Sequence, residues 1–185
     1  MNILKKRSTA VAVTVVLIVL AVVIGIGKAP ADGGGKLLTN LGSGNKAPNL
    51  SSADRDWYVV DGADVLSSST ERDLQNLNQQ LYRDMDVIIA VVTSGKQLGD
   101  LYKYALDAAE DMKLKEYDFV VVLDMAAERC QLVQGNGLVD VFTDADCLDY
   151  VDRYMMDHLY DGDYDEAALD LAQALSQWYY ANYIG

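Results

Sequence analysis

The chain has 185 residues, enough for one ordinary domain and an anchor. It carries 15 Lys+Arg against 28 Asp+Glu, and the excess lies after residue 56, where 8 bases face 25 acids for a net charge of −17. A surface of that sign repels nucleic acid and anionic headgroups and attracts cations, which excludes a nucleic-acid-binding role.

Residues 1–7 form a short basic terminus with Lys5, Lys6 and Arg7, followed by an uncharged run over residues 8–27 of mostly Val, Ile, Leu and Ala. About 20 apolar residues cover the roughly 30 Å hydrocarbon core, so the run predicts one transmembrane helix. A cleaved signal peptide is the alternative, because Ala29-Pro30-Ala31 loosely resembles a small-x-small site. Against it stand the length of the run, beyond the usual h-region of about 7–15 residues, and the proline inside the site. The cations ahead of the run place the N-terminus in the cytoplasm and the rest outside a cell membrane, as a single-pass signal anchor. Residues 28–56 are rich in Gly, Ser, Asn, Pro and Ala, a composition that reads as a flexible linker.

The folded domain is expected over residues 57–185. Trp57-Tyr58-Val59-Val60 reads as a short strand or extended segment, followed by the turn Asp61-Gly62-Ala63-Asp64. Ser68 with Glu71 fits a capping box, and Leu74, Leu77 and Leu81 give the next helix one apolar stripe. Met85 to Val92 contains an uninterrupted apolar run, the pattern of a strand covered on both faces, ended by Gly95. Leu98, Leu101, Ala105, Leu106, Ala109 and Met112 recur at helical spacing. Phe119–Leu123, ending at Asp124, predicts a second covered strand, and Met125–Glu128 a tight connection to an outer strand over Arg129–Gln134. Two helices close the chain. Thr143 caps the first, with the stripe Leu148, Val151, Met155 and Leu159. Asp163 and Glu166 open the second, with Ala167, Leu171, Leu175 and Trp178. The order predicts an α/β fold, a three-layer domain with a small mixed β-sheet and helices on both faces, preceded by the transmembrane helix.

Cys130 and Cys147 fall in the exported part, where a disulfide is permitted, or they are two buried free thiols. Carboxylates gathered at strand ends suit a hard cation, with Ca²⁺ the candidate and Asp61, Asp64, Asp118 and Asp124 its candidate ligands. The competing reading gives Asp61 and Asp64 only local bonds within a turn. Asp161-Gly162-Asp163-Tyr164-Asp165 begins like a calcium loop but lacks the glycine and the closing glutamate, so helix capping explains it better. His158 is the sole histidine, Gly135-Asn136-Gly137 is a lone GxG, and Ser67–Ser69 have no nearby base. Trp178, Tyr179, Tyr180 and Tyr183 suit a membrane interface or the last turn of a core helix, of which packing is favoured.

Four segments in order resemble the TPM domain family over about residues 57–180. They are Val60-Asp61-Gly62-Ala63-Asp64-Val65-Leu66; the apolar strand entered through Asp118; Glu128-Arg129 with Gly135-Asn136-Gly137-Leu138 and Thr143-Asp144; and Tyr160-Asp161-Gly162-Asp163-Tyr164. The resemblance implies a mixed α/β, membrane-tethered extracytoplasmic domain. Its implied activities are acid phosphatase, calcium binding or upkeep of membrane complexes, with a membrane protein as candidate partner. Asp118 and Phe119 stand where the family commonly has Asn-Gly, which favours a binding or scaffold module over the alternative, a divalent-dependent phosphatase acting on phosphate monoesters.

Overall fold

A computed structural model describes residues 57–183. The expected basic terminus, transmembrane helix and linker, residues 1–56, lie outside the described residues. Among the described residues no helix is long and apolar enough to cross a membrane.

The elements run β1 (Val59–Gly62), α1 (Ser68–Met85), β2 (Ile89–Ser94), α2 (Leu101–Met112), β3 (Phe119–Asp124), β4 (Arg129–Gln134), α3 (Asp144–Tyr154), α4 (Met156–Asp161) and α5 (Tyr164–Asn182). The strands form one sheet in the order β1-β2-β3-β4, with β1, β2 and β3 parallel and β4 antiparallel to β3. Strand periodicity sends alternate residues to opposite faces. Val59, Ile89, Val91, Phe119, Val121 and Leu132 pack on one face beneath α1, α3, α4 and α5. Ile88, Ala90, Val92, Val120, Val122 and Val133 pack on the other beneath α2 alone. Ala105 and Ala108, both fully buried, let α2 approach the sheet closely. The three-layer expectation is met.

The crossovers have an unusual consequence. Strands β1, β2 and β3 succeed one another in a single direction across the sheet, so two right-handed crossovers would put α1 and α2 on the same face. They lie on opposite faces. One crossover is therefore left-handed, against a strong general bias.

Six expectations need correction. The first strand is Val59–Gly62 rather than residues 57–60, with Trp57 and Tyr58 in the left-handed region, and Leu106 of the second helical stripe is exposed. The apolar run before Gly95 is strand only from Ile89 to Ser94, because α1 continues to Met85 and Asp86 turns the chain in the left-handed region at φ 59°. Ile88 N–H is then taken by the Asp118 carboxylate (2.8 Å), and Ile89 N–H by the side chain of Asn78 (2.9 Å), not by the ladder alone. Buried Asn78 also donates to Trp57 O and Ile89 O, tying α1 to the start of β1 and β2. The cap of α1 is Ser67, not Ser68. Its hydroxyl accepts from Thr70 N–H, and its own N–H is satisfied by Asp165 at 2.7 Å from α5, where Glu71 was expected to close a local box. Leu148 is half-buried, and the buried stripe of α3 runs through Cys147 and Val151. The first closing helix is broken in two at Met155, whose φ is −126°. The cap at Thr143 does form a capping box, with Asp146.

Candidate functional site

The carboxyl ends of β1, β2 and β3 share one edge of the sheet. From it the loops after β1 and β2 leave toward opposite faces, since α1 and α2 lie on opposite faces. Ligands of open α/β sheets commonly bind outside the carboxyl ends of the strands. Gly62 and Ser94 are register partners at this point, and Gly95 lies across from Ala63.

Asp61 and Asp64 both stand at this carboxyl edge, in different states. Asp61 is half-buried. One carboxylate oxygen accepts Leu66 N–H at 2.8 Å and the other accepts the Thr93 hydroxyl. Thr93 Oγ1 in turn accepts Ala63 N–H at 3.0 Å, so Asp61, Thr93 and the loop backbone form one closed brace. Asp64 is exposed, in the left-handed region at φ 56°, with its N–H turned back to Asp61 O at 3.3 Å. Local bonding by Asp61 therefore exists, as the turn reading expected.

Asp124 shares the edge but points to the other face. It is completely buried, with Arg129 Nη2 at 2.7 Å, Leu98 N–H at 3.0 Å and Ala127 N–H at 3.1 Å. Arg129 also donates to Leu98 O at 2.7 Å, so the pair clamps the β3–β4 turn to the loop before α2. Asp118 is at the opposite edge, roughly 20 Å away along a six-residue strand. The structure thus brings Asp61 and Asp64 together and separates both Asp118 and the side chain of Asp124 from them. Among the described residues no group of three or more His, Cys, Asp or Glu is arranged to hold a metal. The donor set fits a cation only if backbone carbonyls and water supply most of its oxygens.

Asp118 has chemistry of its own. Its oxygens accept Ile88 N–H at 2.8 Å and Lys115 N–H at 2.6 Å, which lowers its proton affinity, yet burial dominates and pushes its pKa up to about 6. Because the folded value lies above the unfolded one, the protonated carboxyl contributes stability that is fully present below pH 3.8 and is lost as pH rises through about 6. The effect is at most ~3 kcal/mol, from 1.36 kcal/mol per unit. Urea denaturation of wild type and Asp118→Asn from pH 4 to 7 should show the wild type losing stability relative to the variant. A constant difference between the two would refute the raised pKa.

The remaining candidates have structural roles. Cys130 and Cys147 are free thiols rather than a disulfide, Cys130 beside Met156 Sδ (3.8 Å) and Cys147 donating to Gln134 Oε1 (3.0 Å). Burial pushes both thiols up to about 12, far from thiolate reactivity. His158 lies 3.0 Å from Asp170, and Asp163 and Asp165 cap or brace helix starts. Sequence reasoning missed Thr93 and the engagement of Arg129. The first is a polar residue directly after an apolar strand run. The second is an opposite charge facing Asp124 across a hairpin, a pairing that cross-strand register favours.

The fold defines a class: a mixed α/β domain, with one four-stranded sheet covered by helices on both faces. The TPM domain model matches residues 59–178, and the chain belongs to that family. Three solved structures are similar to it. The N-terminal domain of a protein from P. gingivalis is 24% identical with a TM-score of 0.65, covering 72% of this chain and 88% of that one. The N-terminal domain of the cg2496 protein from Corynebacterium glutamicum is 20% identical with a TM-score of 0.54, covering 65% and 78%. The BA42 protein from the psychrophilic Bizionia argentinensis is 15% identical with a TM-score of 0.52, covering 60% and 79%. At these identities the likeness is one of fold. No curated protein matches the sequence.

Proposed function

We propose that the protein is a membrane-anchored, extracytoplasmic TPM domain that acts as a binding or scaffold module, with its ligand edge at the carboxyl ends of β1 and β2. The carrying observation is the pair of carboxylates at that edge, Asp61 braced by Thr93 and the loop backbone and Asp64 exposed beside it. The apolar run at residues 8–27 supports the anchor, and the net −17 of residues 57–185 supports attraction of a cation to the edge.

Ca²⁺ is the cation that this oxygen-only chemistry favours. Asp64 and the unused lone pairs of Asp61 supply charge, and loop carbonyls complete the shell. Few carboxylates in the shell place affinity toward the weak, extracellular range of about 10⁻⁴–10⁻³ M. Binding is favoured over phosphate-ester hydrolysis because Asp61 is committed to backbone and hydroxyl donors, and Asp124 to Arg129 and backbone N–H groups. The alternative, hydrolysis of a phosphate monoester, would use the same cation.

The test is thermal melting of the full chain with Ca²⁺, against sodium chloride of equal ionic strength. A ligand that binds only the folded state adds about 2.7 kcal/mol at a hundredfold excess over Kd. Calcium should raise Tm beyond sodium, and Asp64→Asn, exposed and outside the brace, should blunt the rise. If sodium matches calcium, or Asp64→Asn responds like wild type, the loop is a turn only. Calcium-dependent hydrolysis of a generic phosphate ester, lost in Asp64→Asn, would favour the phosphatase.

A further inference from the structure

The exposed apolar side chains of the domain are gathered at one edge. Of nine large hydrophobic residues exposed among the described residues, six belong to the edge at the amino ends of the parallel strands: Tyr82, Tyr117, Val139, Val141, Tyr180 and Tyr183. Tyr82 is in the last turn of α1, Tyr117 precedes β3, and Tyr180 and Tyr183 end α5. The turn carrying Val139 and Val141 is held there because Gly137 N–H donates to Glu116 O at 2.7 Å and Phe142 stacks on Phe119 with ring centres 4.9 Å apart. Ring contacts pair members of the set with each other and with their neighbours. Trp57 lies 6.1 Å from Tyr82, the Lys115 ammonium 5.4 Å from the same ring, and Tyr117 5.5 Å from Tyr183.

We infer that this edge docks on the headgroup region of a zwitterionic phospholipid bilayer, the membrane in which the chain is anchored. The inference rests on the anchoring proposed above. Three observations select the bilayer. Tyrosine and tryptophan with a polar tip and an apolar body suit the membrane–water interface, and Val141, 65% exposed, adds an aliphatic tip. The part of the chain outside the described residues joins the domain at this edge: Trp57 follows 29 residues after the apolar run at 8–27. Twenty-nine residues reach at most about 100 Å, so covalent linkage alone confines the edge to the neighbourhood of the surface and a weak contact suffices. Charge agrees as well. Arg83, Lys113 and Lys115, three of the eight bases after residue 56, stand here beside Asp84, Asp86, Glu116 and Asp140, a much smaller imbalance than the domain's net −17.

The test reconstitutes the full chain in phosphatidylcholine nanodiscs carrying a gadolinium-chelating headgroup lipid, with amide relaxation as the readout. Amides of residues 82, 117, 139, 141, 180 and 183 should broaden at least severalfold more than those of Asp64, Lys96 and Glu128 at the carboxyl edge. Val139→Asp/Val141→Asp, which changes only exposed side chains, should cut that contrast by half or more while the protein stays with the discs. Equal broadening of the two edges, or a contrast unchanged in the double variant, overturns the docking and leaves the anchor standing. A chain that separates from the discs on flotation overturns both.

Discussion

Ile89→Asp is expected to abolish cooperative folding. Ile89 is 1% exposed in the second of four strands, and its side chain lies in the core between the sheet and the helices above it. The substitution removes a buried aliphatic side chain and puts a carboxyl in its place with no partner, at a combined cost of about 5 kcal/mol or more. That is comparable with the whole stability of a typical domain, about 5–15 kcal/mol. Near-UV circular dichroism should lose its aromatic signal and urea should give no sigmoidal transition. Val141→Asp, on an exposed tip, is the control and should stay within about 1 kcal/mol of wild type. A folded Ile89→Asp domain would mean that β2 is not the centre of the sheet.

Gly135→Ala should cost about 3 kcal/mol or more, for a reason of space rather than hydrophobicity. A Cβ at residue 135 would stand 2.4 Å from Glu116 O and 2.9 Å from Lys115 O, both backbone atoms that cannot rotate away. The strand end would have to retreat, breaking Gly135 N–H to Asp118 O at 2.8 Å and Gly137 N–H to Glu116 O at 2.7 Å. With a urea slope of about 1–3 kcal/mol/M, the midpoint should fall by about 1–3 M. An alanine variant with an unchanged midpoint would show that the 135–137 segment does not lie against 115–117. The lone GxG is thus a packing device, two glycines that let one backbone close on another and on the Tyr117 ring.

The sequence by itself determined most of the elements. The apolar runs marked β3 to within one residue and β2 approximately, and the spacing of Leu101, Ala105 and Met112 marked the buried side of α2. The Thr143 and Asp163 caps were legible because a side chain and the backbone donor it satisfies lie within three residues of each other. The family was legible for a similar reason, since its landmarks are short turns and strand ends written in contiguous residues. What the tertiary structure decided is non-local. Ser67 caps α1 locally through Thr70 N–H, but its own N–H is held by Asp165, 98 residues away, so no neighbouring residue closes a box at the helix start. Ile88 keeps its carbonyl bond from Phe119 N–H, but its own N–H is taken by Asp118, 30 residues on. Periodicity says that a helix has one buried side but not which face of the sheet it covers, and here α1 and α2 choose opposite faces, which makes one crossover left-handed. The four aspartates looked alike as carboxylates at strand ends. Only the direction of each strand and the alternation of its side chains put Asp118 at the far edge and Asp124 on the other face, against Arg129.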